Sequence, residues 1–205
     1  MADEKENQVK RVAAGNGILN PSGAMVMGAA PMYLALIPLT TYLTKPDSVM
    51  QSLVHAIIKL LPGVDAASIT SGRAIPALSA IYLFWTFGAS GAISVAGQAM
   101  SRREGLDTDH PRKHVHALEG LPLRMRSAHY ALLENFPAFA LAAALAQVLA
   151  PQDAQVVNLL GFHVIAKLMV HYPAYVGNMA VPRSVAHLTA TSALINICWI
   201  LAAGK

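Results

Sequence analysis

The chain has few charged residues and almost no cysteine. Only 13% of its 205 residues are charged and 55% are hydrophobic, whereas about a quarter of an ordinary soluble domain is charged. The single Cys198 excludes a disulfide within the chain. Aspartate, glutamate, lysine and arginine are all missing from four long runs, 12–44, 74–101, 135–152 and 184–204. Since about 20 apolar helical residues cross a bilayer, these runs predict an all-α polytopic membrane protein.

The net charge of +4 does not indicate a nucleic-acid partner, because the basic residues lie at the ends of the apolar runs. Most of them lie in one loop and its edges, which the positive-inside rule places in the cytoplasm. Three histidines of this loop, beside Asp109, form only a weak metal signal, and we assign no metal. The basic residues are Arg102, Arg103, Arg112, Lys113, Arg124 and Arg126, and the histidines are His110, His114 and His116.

Three of these runs, with a fifth apolar stretch at 154–176 that is broken only by Lys167, predict a four-helix bundle over residues 74–205, preceded by an extension over residues 1–73. The extension begins with a charged, solvated tail, Met1 to Arg11. An apolar segment from Gly23 to Leu43 follows, and its prolines allow either a kinked span or a re-entrant piece. Residues 49–61 have the apolar spacing of an amphipathic helix, which would lie on the membrane surface or on the spans.

Two polar features interrupt the predicted spans. Glu134 is a lone carboxylate in an apolar run, where a charge is costly unless it faces a partner or a water-filled cavity. His163, Lys167, His171 and Tyr175 recur at every fourth position and therefore share one face of a helix. This stripe indicates either hydrogen bonds between helices or a ligand pocket.

Three groups of residues carry a resemblance to a known family. They are Arg124 with Ala128-His129 and Glu134-Asn135-Phe136-Pro137, then His171-Tyr172-Pro173-Ala174-Tyr175, then Arg183-Ser184. Together they resemble MAPEG, the membrane-associated proteins in eicosanoid and glutathione metabolism. The resemblance covers roughly residues 74–203. It implies a homotrimer of four-helix subunits that binds glutathione between subunits and takes a lipophilic substrate from the bilayer.

The resemblance also implies site residues. Glu134 matches the carboxylate that holds the amino end of glutathione, and His171 and Tyr175 match groups that line its site. Arg183 matches the arginine that stabilises the thiolate, since a nearby cation lowers the pKa of a thiol. The candidate catalytic residues are Arg183 and Arg103. The candidate glutathione-binding residues are Arg102, Arg126, His129, Glu134, His171, Tyr175 and His187.

Three positions depart from the family pattern. Ser127 and Ala131 stand where the family usually has an arginine and an asparagine, and Leu168 stands where another arginine is common. Lys167 is next to this last position, but it is a poorer clamp for a carboxylate than arginine. Arg126 is about 100° around the helix from position 127. These losses remove charge-assisted contacts to glutathione.

Two functions therefore stay open from the sequence. One is a membrane glutathione transferase or peroxidase. The other is a non-catalytic structural or assembly subunit, with the extension through Arg73 holding a protein partner. The resemblance implies the endoplasmic reticulum membrane, with a mitochondrial membrane as the alternative.

Overall fold

A computed structural model describes residues 17–18, 20–65 and 72–204, so the predicted tail, Met1 to Arg11, lies outside the described residues. This part of the chain contains helices and no strand, which confirms the all-α prediction. Four helices are long and apolar enough to span a membrane. We label them α4 (Ala74–Met100), α5 (Gly120–Leu149), α6 (Ala154–Val176) and α7 (Ala180–Ala203).

Short connections make the last three spans antiparallel neighbours, as predicted. Asp153 is the N-cap of helix α6, and its side chain accepts a hydrogen bond from the backbone N–H of Val156 at 3.0 Å. Helices α6 and α7 then pair level by level. The ring nitrogen Nδ1 of His163 lies 2.9 Å from the carbonyl oxygen of Ala190. At the next two turns of α6, Lys167 bonds to His187 and His171 bonds to the carbonyl oxygen of Arg183. The polar stripe of α6 therefore faces α7, not lipid.

Two of the spans contain a π-helical segment, Phe84–Ala89 in α4 and Ala166–His171 in α6. In an ideal α-helix, residues four apart drift by about 40° around the axis. A π turn holds more than four residues, so the drift becomes smaller. The segment in α6 contains Lys167 and His171, and it keeps their side chains on one side of the helix.

The N-terminal extension packs on the bundle through side-chain amides. Its short helices α1 (Met32–Ala35) and α2 (Ile37–Leu43) lie against α7. Taken together, Val26–Ala35 and Ile37–Leu43 are long and apolar enough to form a fifth span, with a bend of 44° between them. Asn196 of α7 donates to the hydroxyls of Thr40 and Thr41 at 3.1 and 2.8 Å. Asn158 of α6 donates to the carbonyl oxygen of Thr44 at 3.1 Å.

Helix α3 (Val49–Ile58) packs on α6, which decides between the two positions that the sequence left open. Val54 and Ile58 are completely buried. The close approach requires Gly161, because a Cβ atom at that position would overlap the side chain of Val54. The described part of the extension is thus built into the bundle, while the division of the chain at residue 73 stays a prediction.

Candidate functional site

Three of the predicted site residues meet where α6 ends and α7 begins. The Nδ1–H of His171 donates to the backbone carbonyl oxygen of Arg183 at 3.0 Å. The guanidinium carbon of Arg183 lies 4.7 Å from the centre of the Tyr175 ring, a cation–π contact. The rings of His171 and Tyr175 are 5.8 Å apart. The π turn of α6 and the short turn after it bring these side chains together.

These contacts fix the orientation of the His171 ring. A carbonyl oxygen only accepts, so Nδ1 carries the proton and Nε2 keeps a free lone pair. Nε2 is buried and has no hydrogen-bond partner in the part of the chain that the structure describes. The guanidinium of Arg183, in contrast, belongs to a partly exposed side chain. Arg183 and Tyr175, which is also partly exposed, are therefore the members of this group that can contact a ligand without a rearrangement of the helices.

His187, another predicted site residue, lies behind this group and holds Lys167. The Lys167 ammonium donates to Nδ1 of His187 at 2.8 Å, and the Lys167 residue is 0% exposed. The ring of Tyr33, from α1, meets the His187 ring edge-on at 6.2 Å. Lys167 therefore does not replace the arginine expected at Leu168, since its charge is directed into the bundle. Tyr33 lies outside the resemblance, and no sequence signal linked it to His187.

Arg126 and Glu134 lie on a different surface, along α5. The guanidinium carbon of Arg126 lies 4.4 Å from the centre of the Tyr130 ring. Tyr130 and Glu134 are both exposed on the isolated subunit. The spacing of four residues puts Arg126, Tyr130 and Glu134 along one side of the helix. Sequence reasoning missed Tyr130, although its position between the two charges could have indicated it.

His129 is directed elsewhere. Its Nδ1 lies 2.9 Å from the Ser90 hydroxyl oxygen of α4. That hydroxyl donates its proton to the carbonyl oxygen of Thr86 at 2.7 Å, so the imidazole is the donor to Ser90. His129 thus joins α5 to α4 and does not contact the group at Arg183.

Arg102 and Arg103 lie in the loop that follows α4. Arg102 is 3.7 Å from the carboxylate of Asp107, and Arg103 is exposed. Asp107, and not the Asp109 that the sequence suggested, also lies 3.3 Å from Nε2 of His114. The backbone N–H of His110 donates to Asp107 at 2.8 Å, and this bond is the main reason that the pKa of Asp107 lies below its usual value.

Among the residues that the structure describes, no group of three His, Cys, Asp or Glu side chains is arranged to hold a metal ion. The loop contacts instead order the chain between the first two spans of the bundle. Arg102 is engaged within this loop, and Arg103 remains available on its surface.

The comparisons with known proteins agree with this architecture. The MAPEG family model matches residues 75–203. The chain belongs to the MAPEG family. Comparison with curated proteins and with solved structures gave no significant match. The matched range begins at the start of α4, so helices α1 to α3 are additions to the part of this MAPEG protein that the family shares.

Proposed function

We propose that this MAPEG protein is a membrane-embedded glutathione transferase or peroxidase that acts on lipophilic substrates. The observation that carries the proposal is the placement of Arg183. Its guanidinium stacks on Tyr175, its backbone carbonyl accepts from His171, and its side chain is partly exposed. A cation held in this way favours a thiolate over a thiol, which makes the nucleophile available at neutral pH.

The exposed charges fit a thiol peptide with both an ammonium and carboxylates. Glu134 offers an acceptor for the ammonium, while Arg126 and Arg183 offer donors for the anionic groups. With an electrophilic substrate, the thiolate sulfur attacks carbon, and the new C–S bond forms as the leaving group departs. With a lipid hydroperoxide, the sulfur attacks the terminal oxygen. The O–O bond breaks, the lipid leaves as an alcohol, and a second glutathione converts the sulfenic acid to a disulfide and water.

The same proposal includes a homotrimer. Glu134 lies inside a membrane span and is exposed on the isolated subunit. A carboxylate at such a position is stable when it faces protein or a wet cavity, not hydrocarbon. A neighbouring subunit that covers the side of α5 with Arg126, Tyr130 and Glu134 supplies this environment, and glutathione would bind between the two subunits.

A second candidate is a non-catalytic structural or assembly subunit. The observation in its favour is the loss of three polar side chains from the family pattern. Ser127 and Ala131 cannot make the expected bonds on α5, and Lys167 does not compensate for Leu168 because its ammonium is buried. This candidate predicts stable oligomers that do not bind glutathione.

Titration of the purified full-length protein with glutathione separates the two candidates. We expect saturable binding by calorimetry and a thiolate absorbance at neutral pH, both lost in Arg183→Ala. Arg112→Ala is the matched control, because Arg112 is an exposed loop arginine with no predicted role. An absence of binding at millimolar glutathione would refute the transferase proposal and favour the second candidate.

A further inference from the structure

An apolar cavity lies between α3, α4 and α6. Its volume of about 310 Å³ is at the lower end of the range of about 300 to 1,000 Å³ that is usual for small-molecule pockets. All nine side chains that line it are apolar, and none belongs to α5, the helix that we propose to face a neighbouring subunit. The lining includes Leu60 and Leu61 just after α3, Ile81 and Phe84 of α4, and Val164 and Leu168 of α6.

The cavity has a buried floor and an exposed rim. Val164 and Leu168 are 1% and 3% exposed, whereas Leu60 and Phe84 are 78% and 70% exposed on the isolated subunit. Because α4 and α6 are both membrane spans, the medium at this rim is the bilayer. Side chains that line an empty space lose their dispersion contacts, and the bilayer supplies hydrocarbon chains that restore them. We therefore expect the cavity to admit a hydrocarbon chain.

Two features that set this chain apart from its family meet at the cavity. The extension supplies three of the nine lining residues, and they lie outside the matched range 75–203. Leu168 stands where an arginine is common, and an arginine there would place a charge in the apolar cavity. Phe84 and Leu168 also belong to the π-helical segments of α4 and α6, and such segments are frequent at functional sites.

A single positive charge lies beside the rim. Lys59 directly precedes Leu60 and Leu61, and it is the only charged side chain between residues 49 and 64. Lys59 is exposed, and its ammonium has no hydrogen bond or ion pair with any residue in the described part of the chain. A lysine next to hydrocarbon extends its charged end towards the polar headgroups. The anionic group that it meets there is a lipid phosphate.

We propose that this cavity holds one acyl chain of an anionic phospholipid, and that the phosphate group of this lipid pairs with Lys59. The hydrocarbon fills the space between the end of α3 and the two spans, while the ammonium selects lipids by the net charge of their headgroup. The bound lipid then joins the extension to the bundle, in addition to the polar contacts of Asn158 and Asn196. The inference is independent of glutathione binding.

The two tryptophans of the chain report on the lipid separately. Trp85 is partly buried and follows the lining residue Phe84, whereas Trp199 of α7 is 63% exposed. Trp199→Phe leaves Trp85 as the only indole, and Trp85→Phe leaves only Trp199. Each full-length variant is placed in phosphatidylcholine vesicles with a small fraction of phosphatidylglycerol or phosphatidylcholine whose acyl chains are brominated, because bromine quenches indole fluorescence on close approach.

The charge of one lysine near a membrane surface favours an anionic lipid about fivefold. We therefore expect brominated phosphatidylglycerol to quench Trp85 at about one fifth of the concentration that brominated phosphatidylcholine requires. The two lipids should quench Trp199 equally, since that residue faces the bulk bilayer.

Three substitutions in the Trp199→Phe background locate the site. Lys59→Gln should remove the preference for phosphatidylglycerol. Ile165→Phe, at a partly exposed lining position, should fill the cavity and remove the same preference. Lys113→Gln is the matched control and should keep the preference, because Lys113 is an exposed lysine of the loop between α4 and α5.

Equal quenching of Trp85 by the two lipids, in the protein that retains Lys59, would overturn the inference. A preference that persists in Lys59→Gln or Ile165→Phe would also overturn it, as would an equal loss in Lys113→Gln, because the lipid would then bind elsewhere. Circular dichroism checks the helix content of each variant. Lys59→Gln alters only an exposed side chain, so its result decides the matter even if Ile165→Phe does not fold.

Discussion

The amide side chain of Asn196 holds the N-terminal extension on the bundle, and its removal should loosen α2 without unfolding the spans. Asn196 is buried and donates to the hydroxyls of Thr40 and Thr41. In Asn196→Ala both bonds are lost. The hydroxyl of Thr40 still donates to the carbonyl oxygen of Ile37 at 3.0 Å, so the variant does not leave an unsatisfied donor at Thr40.

The size of the effect follows from the number of bonds. Hydrogen bonds between helices in membranes contribute on average about 0.6 kcal/mol each. Two such bonds, with the small cavity that alanine leaves, make the docking of α2 weaker by about 1 to 2 kcal/mol. An energy of this size changes the ratio of docked to undocked segment roughly fivefold to thirtyfold.

Hydrogen exchange of the purified protein measures this ratio. The backbone amides of Thr40 and Thr44 are bonded at 2.9 and 3.1 Å within the segment, and we expect their exchange to accelerate by the factor above. Asn135→Ala is the matched control, because the Asn135 amide bonds to Ala131 of its own helix at 2.8 Å and to Thr191 of α7 at 3.4 Å, and neither bond involves the extension. Unchanged exchange of α2 in Asn196→Ala would refute the idea that the amides hold the segment.

Two further predictions concern α3 and the loop between α4 and α5. Gly161→Ala should lower the thermal unfolding midpoint, because the added methyl group overlaps Val54 and overpacking costs about 1 to 3 kcal/mol. Gly91→Ala is the control. Its added methyl group meets only an ordinary contact, at 3.7 Å from His129, so the midpoint should not change. Asp107→Asn should raise protease cleavage of the loop at neutral pH. The hydrogen bond from the His110 backbone lowers the pKa of Asp107 in the folded protein. The ionised Asp107 therefore orders the loop fully above about pH 4 to 5, and this order is lost as the pH falls through the pKa of Asp107 in the folded protein. Cleavage of the variant should show no such acid dependence, and equal pH profiles for both proteins would contradict this.

The four spans and the polar stripe could be predicted from the sequence, because both depend on patterns within one helix. A charge-free run specifies a span by length alone. The spacing of His163, Lys167, His171 and Tyr175 specifies a shared face. Neither pattern says which neighbour the face meets. The contact of Lys167 with His187 depends on the register of α6 against α7, which only the packed structure supplies.

The contacts of the extension were harder to predict, because they join residues more than a hundred positions apart. Thr40, Thr41 and Thr44 are ordinary in an apolar segment, and nothing in their spacing indicates an amide partner on α6 or α7. Tyr33 likewise has no local signal. The contact of Gly161 with Val54 could not be predicted either, because a glycine in a span can face the lipid as well as a neighbouring helix.

These contacts also determine which experiment can test for a protein partner of the extension. Deletion of residues 1–44 would leave the amide of Asn196, buried inside a membrane span, without its bonds to Thr40 and Thr41, and an unsatisfied polar group there costs several kcal/mol. Misfolding or loss of activity of the truncated protein would therefore say nothing about a partner. Substitutions at exposed positions of the segment avoid this problem. Tyr42 is 66% exposed and Val26 is 73% exposed, so a partner that binds the outer surface of the extension should be lost on their replacement, while α2 keeps its bonds to the bundle.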